Sequence, residues 1–259
     1  MRKLAEDGLD LELFMLHRLA ELDGLVREGY AAYDFNAVYQ ELFNFCTNDL
    51  SAFYLDIRKD VLYCDRPDSH RRRACRTVLD HTFRALTAWL APILCFTMEE
   101  VWQSRFPSDT DSVHLKLFPH IPADWRDNDL AEKWRLRRRF RRIVTGALEV
   151  ERKNKVIGAS LEAAPVAYVE DEAIREAIQG MKLDEVTITS TLALAPLGTR
   201  APETAFRLDD VPGIAVAFRP ASGEKCERCW RVLEEVGTHT AHPTLCDRCT
   251  DAVEHLETA

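Results

Sequence analysis

The chain has 259 residues, 46% hydrophobic and 30% charged, an ordinary globular composition that excludes a disordered or fibrous chain. That length suits one large domain or two to three small ones. A net charge of −9 excludes a uniformly cationic nucleic-acid coat.

At the N-terminus no apolar stretch follows Arg2-Lys3, so no secretory leader is expected. Leu9, Leu13, Leu16, Leu19, Leu22 and Val26 recur every three or four residues, the stripe of an amphipathic helix. Gly29 is the expected stop and Asp34 the expected N-cap of a second helix, which presents Val38, Leu42, Phe45, Asp49 or Leu50, Phe53 and Ile57. Pro67-Asp68-Ser69 marks a turn, with Ser69 capping a third helix that turns Ala74, Val78, Ala85 and Trp89 inward. Pro92 should end it, and Thr97-Met98-Glu99-Glu100 has the form of a capping box for a short helix ending before Pro107. The apolar run Leu86 to Phe96 is broken by Thr87 and Pro92, far short of the ~18 residues of a membrane span. An antiparallel helical bundle in a cytoplasmic protein is expected.

Residues 107–125 read as a proline-rich connection, in which only Ser112 to Leu117 alternates like a strand. One long helix should follow from about Asp127 to Lys155, strongly basic on its outer faces. Three β-type runs come next, Ala164 to Val169, Val186 to Leu192 and Gly213 to Phe218, with a helical stretch Asp171 to Met181 between the first two. The stretch 196–212 should be loop. The expected architecture is therefore mainly α: a bundle over residues 1–125, a long basic helix with a small α+β domain over 126–222, and a cysteine-rich module over 223–259.

That module carries Cys226-Glu227-Arg228-Cys229 and, after sixteen residues, Cys246-Asp247-Arg248-Cys249. Two residues between thiolates let each pair chelate through a tight turn, and four thiolates close a tetrahedron with no open position. One structural Zn²⁺ held by Cys226, Cys229, Cys246 and Cys249 is expected, supplying on the order of 10 kcal/mol to folding of a tail too short for a core of its own. His239 and His242 lie between the pairs as alternative ligands that the intact pairs make unnecessary. Cys46, Cys64, Cys75 and Cys95 stand singly on helical segments and read as small buried hydrophobes rather than nucleophiles. No catalytic residue is expected.

Charge is unevenly distributed. Residues 1–65 hold 6 basic and 13 acidic residues, whereas 66–76 hold 5 and 1, and 131–155 hold 10 and 3. Lys133 to Arg142 has seven cations in ten residues, including Arg138 and Arg142; they suit phosphate, or equally the acidic residues of 1–65. Arg71 and Arg72 open a helix whose positive terminus they do not complement, which poses the same choice. Trp230, beside Cys229, either packs over the metal loop or offers a face to an unstacked base. Arg228, Arg231 and Arg248 are balanced by neighbouring acids, so contact there should come from stacking and specific hydrogen bonds.

Phe14-Met15-Leu16-His17-Arg18-Leu19, Tyr33-Asp34-Phe35, Phe53 to Asp60, Leu90 to Leu94 and Thr97 to Trp102 resemble the anticodon-binding bundle of the bacterial isoleucyl-tRNA synthetase family. Asn154 to Ala163 is similar to the start of that family's junction domain, and Gly223 to Trp230 to the start of its terminal zinc domain. The resemblance spans the chain and implies a class I synthetase type of bundle gripping the anticodon stem and loop of tRNA(Ile), with Trp230 and Arg228 near the anticodon. It implies the catalytic domain as a further partner, and ATP use only in a full-length enzyme, because neither ATP signature nor an editing domain is found here. Arg231, Arg71, Arg72, Arg138 and Arg142 complete the expected tRNA contacts; neither DNA nor membrane is an expected partner. The rivals are a zinc-stapled protein-interaction module, which predicts a basic helix buried against acids of the chain, and a DNA-repair glycosylase. The latter needs Pro-Glu after Met1, where Arg2-Lys3 stands.

Overall fold

The structure is a computed structural model and describes residues 9–257; the readings made on Arg2-Lys3 lie outside them. Two compact units divide the chain: Met1–Arg58 with Asp68–Leu130, and Lys59–Pro67 with Ala131–Ala259. No helix among the described residues is long and apolar enough to cross a membrane.

In the first unit α1 (Asp10–Ala31) buries Leu13, Leu19, Leu22 and Val26 of the expected stripe and leaves Leu16 half-buried, while Leu9 is buried just before its first residue. It packs on α2 (Phe35–Asn44) and α4 (His70–Leu90), and α4 packs on α5 (Cys95–Arg105). Between α2 and α3 (Asp56–Cys64) the chain stays helical through a π-helical stretch, Phe45–Leu55, which keeps Phe45, Asp49 and Phe53 buried. Asp34 caps α2, its side chain accepting from Ala37 N at 3.0 Å, and Ser69 caps α4, accepting from Arg72 N at 3.4 Å. Deep in the bundle Glu12 receives both Nε and Nη2 of Arg58 at 2.6 Å, and Tyr54 Oη lies 3.4 Å from Glu12 Oε1 and from Cys75 Sγ. Burial pushes the Cys75 thiol up to about 11.

Four local expectations fail here. Gly29 does not stop α1: the helix continues to Ala31, and an added Cβ would sit 2.5 Å from Val38 Cγ2, so this glycine lets two helices close up. Thr97 is no cap, because Leu94 precedes the first residue of α5 and Thr97 lies inside it. Ser112 to Leu117 forms no strand; Val113–Leu115 is a 3₁₀ turn held by Glu99, which accepts from Ser112 Oγ at 2.7 Å and Val113 N at 3.0 Å. Cys95 is exposed and Cys46 half-buried, while Cys64 and Cys75 are buried as expected.

The second unit is built on α6 (Asn128–Lys153), whose Phe140, Ile143, Val144, Ala147 and Leu148 pack against a four-stranded sheet. Strand order is β2-β1-β4-β3, with β1 (Val166–Val169) parallel to β2 (Ala193–Leu194) and antiparallel to β4 (Val211–Ala217). β3 (Phe206–Leu208), inside the expected loop, pairs antiparallel with β4. Helix α7 (Glu172–Ala177) covers the first part of the expected helical stretch Asp171 to Met181 and is capped by Asp171, whose side chain accepts from Ile174 N at 3.0 Å. The expected strand Val186 to Leu192 is not one. Leu183, Val186 and Thr187 are buried from a short helix α8 (Leu183–Thr187), and Ile188 leaves it at φ +57°. Nor is α6 basic only on its outside. Arg137 is buried with Nε donating to Ala177 O at 2.7 Å, and Arg141 Nε donates to Val186 O at 2.9 Å.

Candidate metal centre and nucleic-acid interface

A two-residue hairpin, β5 (Glu224–Lys225) and β6 (Val232–Leu233), delivers the first cysteine pair. Gly223 makes its base possible: at φ +108° a Cβ would overlap the carbonyl of Leu233. Within the knuckle, Cys226 N donates to Arg231 O and Trp230 N to Cys226 O, both at 2.8 Å. The second pair opens α9 (Asp247–Glu257), where Thr250 N donates to Cys246 O at 2.9 Å. Glu227 N donates to Thr244 O at 3.1 Å and joins the two halves.

The four thiols are buried, and their sulfurs all lie within 4.8 Å of one another, with Cys229 and Cys246 3.7 Å apart. Tetrahedral zinc with Zn–S of about 2.3 Å requires S···S edges of about 3.8 Å, so the cluster fits the ion. Hydrogen bonds from the Cys246 and Cys249 thiols hold Cys229 well below the usual thiol range, and the same bonds push the two donors up. Cys246 N also donates to Cys226 Sγ at 3.4 Å. Neither His239 nor His242 joins the cluster; His239 Nε2 instead lies 2.6 Å from Asp247 Oδ1. A closed set of four thiols leaves no position for a reacting molecule, and the chain carries a site for one structural zinc.

Around the metal loop the arginines differ. Arg228 donates to the carbonyls of Cys64 and Tyr63, and its Nη1 lies 3.7 Å from Cys249 Sγ. Arg231 is tied to Asp184 and to Ser190 O. Arg248 is forked onto Asp60, with Nη2 to Oδ1 at 2.8 Å, and reaches Asp65 at 3.5 Å. Burial alone would lower Arg248, but the bonds to Asp60 more than offset it and its pKa rises. Cys64 packs with the four thiols in one buried cluster, its Sγ donating to Arg228 O at 3.7 Å. Arg248 was expected to be balanced by acids nearby in sequence, but its partner Asp60 lies 188 residues away, which only the fold could show.

Trp230 has left the core. It is 62% exposed, held at φ +67°, with Lys225 Nζ 5.7 Å from its ring centre. The zinc cluster, Trp230, Arg228 and Arg231 thus share one corner of the second unit. Arg138, half-buried, and Arg142, exposed and paired with Asp210 at 2.6 Å, lie on α6. Arg71 and Arg72 belong to the first unit, half-buried in the first turn of α4. Beyond the expected residues, Arg152, Lys153 and Lys155 line an open cavity of about 500 Å³ at the end of α6, with Lys155 at φ +60°. Their clustering was countable in the sequence; the open cavity they line, shared with Glu149, was not.

A helical bundle continued by an α+β unit that ends in a closed four-thiol zinc knuckle defines a multi-unit protein in which the metal builds structure. Family comparisons place it more closely. The model for the anticodon-binding domain of tRNA ligase matches residues 12–168, and the one for the zinc finger found in FPG and IleRS matches residues 223–252. The chain belongs to the anticodon-binding tRNA ligase family. It is 54% identical over 243 residues to an isoleucine–tRNA ligase of Ruegeria pomeroyi, covering 94% of this chain and 25% of that protein. Isoleucine–tRNA ligases of Mesorhizobium japonicum, 50% identical over 251 residues, and Brucella abortus, 49% over 248, each share 96% of this chain and 25% of their own length. The chain spans about a quarter of the length of these curated relatives.

Proposed function

We propose that this chain is the C-terminal, anticodon-reading part of an isoleucine–tRNA ligase and grips the anticodon stem and loop of tRNA(Ile). On this reading the bundle spans residues 1–125, the junction domain 126–222 and the zinc module 223–259. The polypeptide works in the cytoplasm, and activation of isoleucine with ATP belongs to a catalytic domain outside these residues. Cys226, Cys229, Cys246 and Cys249 hold the zinc, which supplies a closed thiolate crosslink and no reaction step. The observation that carries the proposal is Trp230: a tryptophan kept exposed on a small, metal-stapled loop beside Lys225 offers a rigid face for an unstacked base. Arg228 and Arg231 act by holding that loop, each engaged with neighbouring backbone and side chains. Arg138, Arg142, Arg71 and Arg72 are candidate phosphate contacts, joined by Arg152, Lys153 and Lys155 around the α6 cavity.

The test is binding of the whole chain to tRNA with an isoleucine anticodon, against other tRNAs, across a salt series. A preference for the isoleucine anticodon that survives rising salt is expected, and Trp230→Ala should weaken it by roughly 1–3 kcal/mol. A steep salt slope with no preference among tRNAs would leave only phosphate attraction and sink the reading.

A further inference from the structure

Five thiols, not four, meet at the metal centre. Cys64, the last residue of α3, belongs to the second unit through the segment Lys59–Pro67 and is buried in one cluster with Cys226, Cys229, Cys246 and Cys249. Arg228 holds it there with both ends. The Arg228 guanidinium donates to Cys64 O, and the Arg228 carbonyl accepts from Cys64 Sγ at 3.7 Å. The same Arg228 Nη1 lies 3.7 Å from Cys249 Sγ, and the Cys64 and Cys249 thiols hydrogen-bond with each other. The other cysteines stand elsewhere: Cys75 meets Tyr54 inside the bundle, Cys46 is half-buried and Cys95 is exposed.

Four sulfurs close the zinc site, so Cys64 is the thiol of the cluster that keeps its proton and its lone pairs uncommitted. It is the sulfur placed to attack an oxidised neighbour while the other ligands stay committed. We propose that Cys64 is the resolving thiol of an oxidative modification site, closing a Cys64–Cys249 disulfide when hydrogen peroxide reaches the cluster. Burial of all five thiols selects an oxidant that small. In the first step the Cys249 thiolate attacks one peroxide oxygen; the O–O bond breaks, Cys249 becomes a sulfenic acid and hydroxide leaves. Arg228 Nη1 puts positive charge where that hydroxide departs. In the second step the Cys64 sulfur attacks the Cys249 sulfur, the S–O bond breaks, and the Cys64 proton leaves with the hydroxyl as water. Two electrons pass from the two sulfurs to the peroxide, and nothing else is consumed. The centre loses a ligand and with it the ion, but the disulfide ties the tail to the end of α3 and keeps Cys249 from irreversible oxidation. A thiol reductant then restores the ligand set. This rests on the thiol cluster and not on the RNA contacts proposed above.

Disulfide mapping tests it. The zinc-loaded 259-residue chain is treated with hydrogen peroxide, its remaining thiols are blocked, and its digest is read by mass spectrometry while a chromogenic chelator follows zinc release. A Cys64–Cys249 crosslink that grows with zinc release is expected, and a thiol reductant should return both the free thiols and the bound zinc. Crosslinks confined to the knuckles, such as Cys246–Cys249, overturn the proposal, as does Cys64 recovered as a free thiol after the zinc has gone. Cys64→Ser removes the resolving sulfur and keeps a hydroxyl donor for Arg228 O. It should bind one zinc before treatment and lose reductant-reversible zinc binding afterwards, as Cys249 passes to sulfinic and sulfonic acid. Recovery of zinc equal to the parent's would show that another thiol resolves Cys249 and would also overturn the proposal. Should the serine variant take up no zinc, the crosslink map of the parent decides alone. Cys95→Ser, which removes the exposed thiol, should give the parent's crosslink; its disappearance there overturns the assignment to Cys64.

Discussion

In the bundle, Leu19, Leu22, Val26, Val38, Leu42, Phe45 and Trp89 are all essentially out of water, each contributing about 1.5–3 kcal/mol by burial. In the zinc module the apolar interior amounts to little more than Val236, Leu233, Leu245 and the cysteines themselves. The first region spreads its stability over many contacts, so one lost side chain costs a fraction of the whole. The second concentrates it in four sulfurs. Their polar groups differ too: the Glu12–Arg58 pair is buried in the bundle, whereas the Arg248–Asp60 pair beside the thiols is about a third exposed, at 31% and 33%.

The largest expected effect is therefore Cys249→Ser. Zinc analysis should fall from one ion per chain to near none, and hydrogen exchange should show residues 223–257 unprotected, consistent with a metal contribution on the order of 10 kcal/mol. The helical circular dichroism of the bundle should persist. A tail that stayed protected without metal would break the comparison, because it would mean that Val236 and its few neighbours suffice as a core.

The bundle's own weak point is its buried charge. Glu12→Ala strands the Arg58 guanidinium inside the helices and should cost about 3–5 kcal/mol in urea unfolding. The double change Glu12→Leu with Arg58→Met should recover most of that, since an apolar pair of similar volume needs no partner. Zinc content should stay at one in both variants. A Glu12→Ala protein as stable as its parent would show that water reaches Arg58, and the bundle would then be less dry than its packing implies.

Features with a local cause were legible in the sequence. Each CxxC pair closes on itself, Asp34 and Ser69 cap helices three residues ahead, and the α1 stripe follows from helical geometry alone. What was not legible depended on partners distant in the chain. The strand pattern of Val186 to Leu192 was overridden because Leu183, Val186 and Thr187 could be buried together from one helical turn. Thr97 looked like a cap, but the chain reversal after Leu90 starts α5 earlier, at Cys95. Counting seven cations on α6 could not show that Arg137 and Arg141 would spend theirs on the carbonyls of Ala177 and Val186. The thiols of the metal centre were visible; the Asp60 and Cys64 that brace it were not.

That brace gives the next test. Arg248 neutralises charge beside Cys229 and Cys249 while its fork grips Asp60, so Arg248→Ala should weaken zinc binding about tenfold in chelator competition, as loss of an outer-shell partner does. Arg248→Lys should restore only part of the affinity, because an ammonium keeps the charge but cannot reproduce the two-pronged contact with Asp60. Full retention in the alanine variant would place the whole of the module's stability in the four sulfurs and sharpen the contrast with the bundle.

The smallest effect probes the distributed side of the comparison. Asp34 accepts the Ala37 amide at 3.0 Å and leads into the helix that Gly29 allows to lie close against α1. Asp34→Ala leaves that amide without its side-chain acceptor and should cost about 1 kcal/mol, seen as a lower urea midpoint with an unchanged slope. Asp34→Asn should be near neutral, since its amide oxygen can take the same hydrogen bond. Zinc stoichiometry should not move in either variant, because nothing in the metal loop depends on this cap. If the alanine variant instead lost several kcal/mol, the start of α2 would be a point on which the whole bundle turns, and stability in the first unit would be concentrated after all.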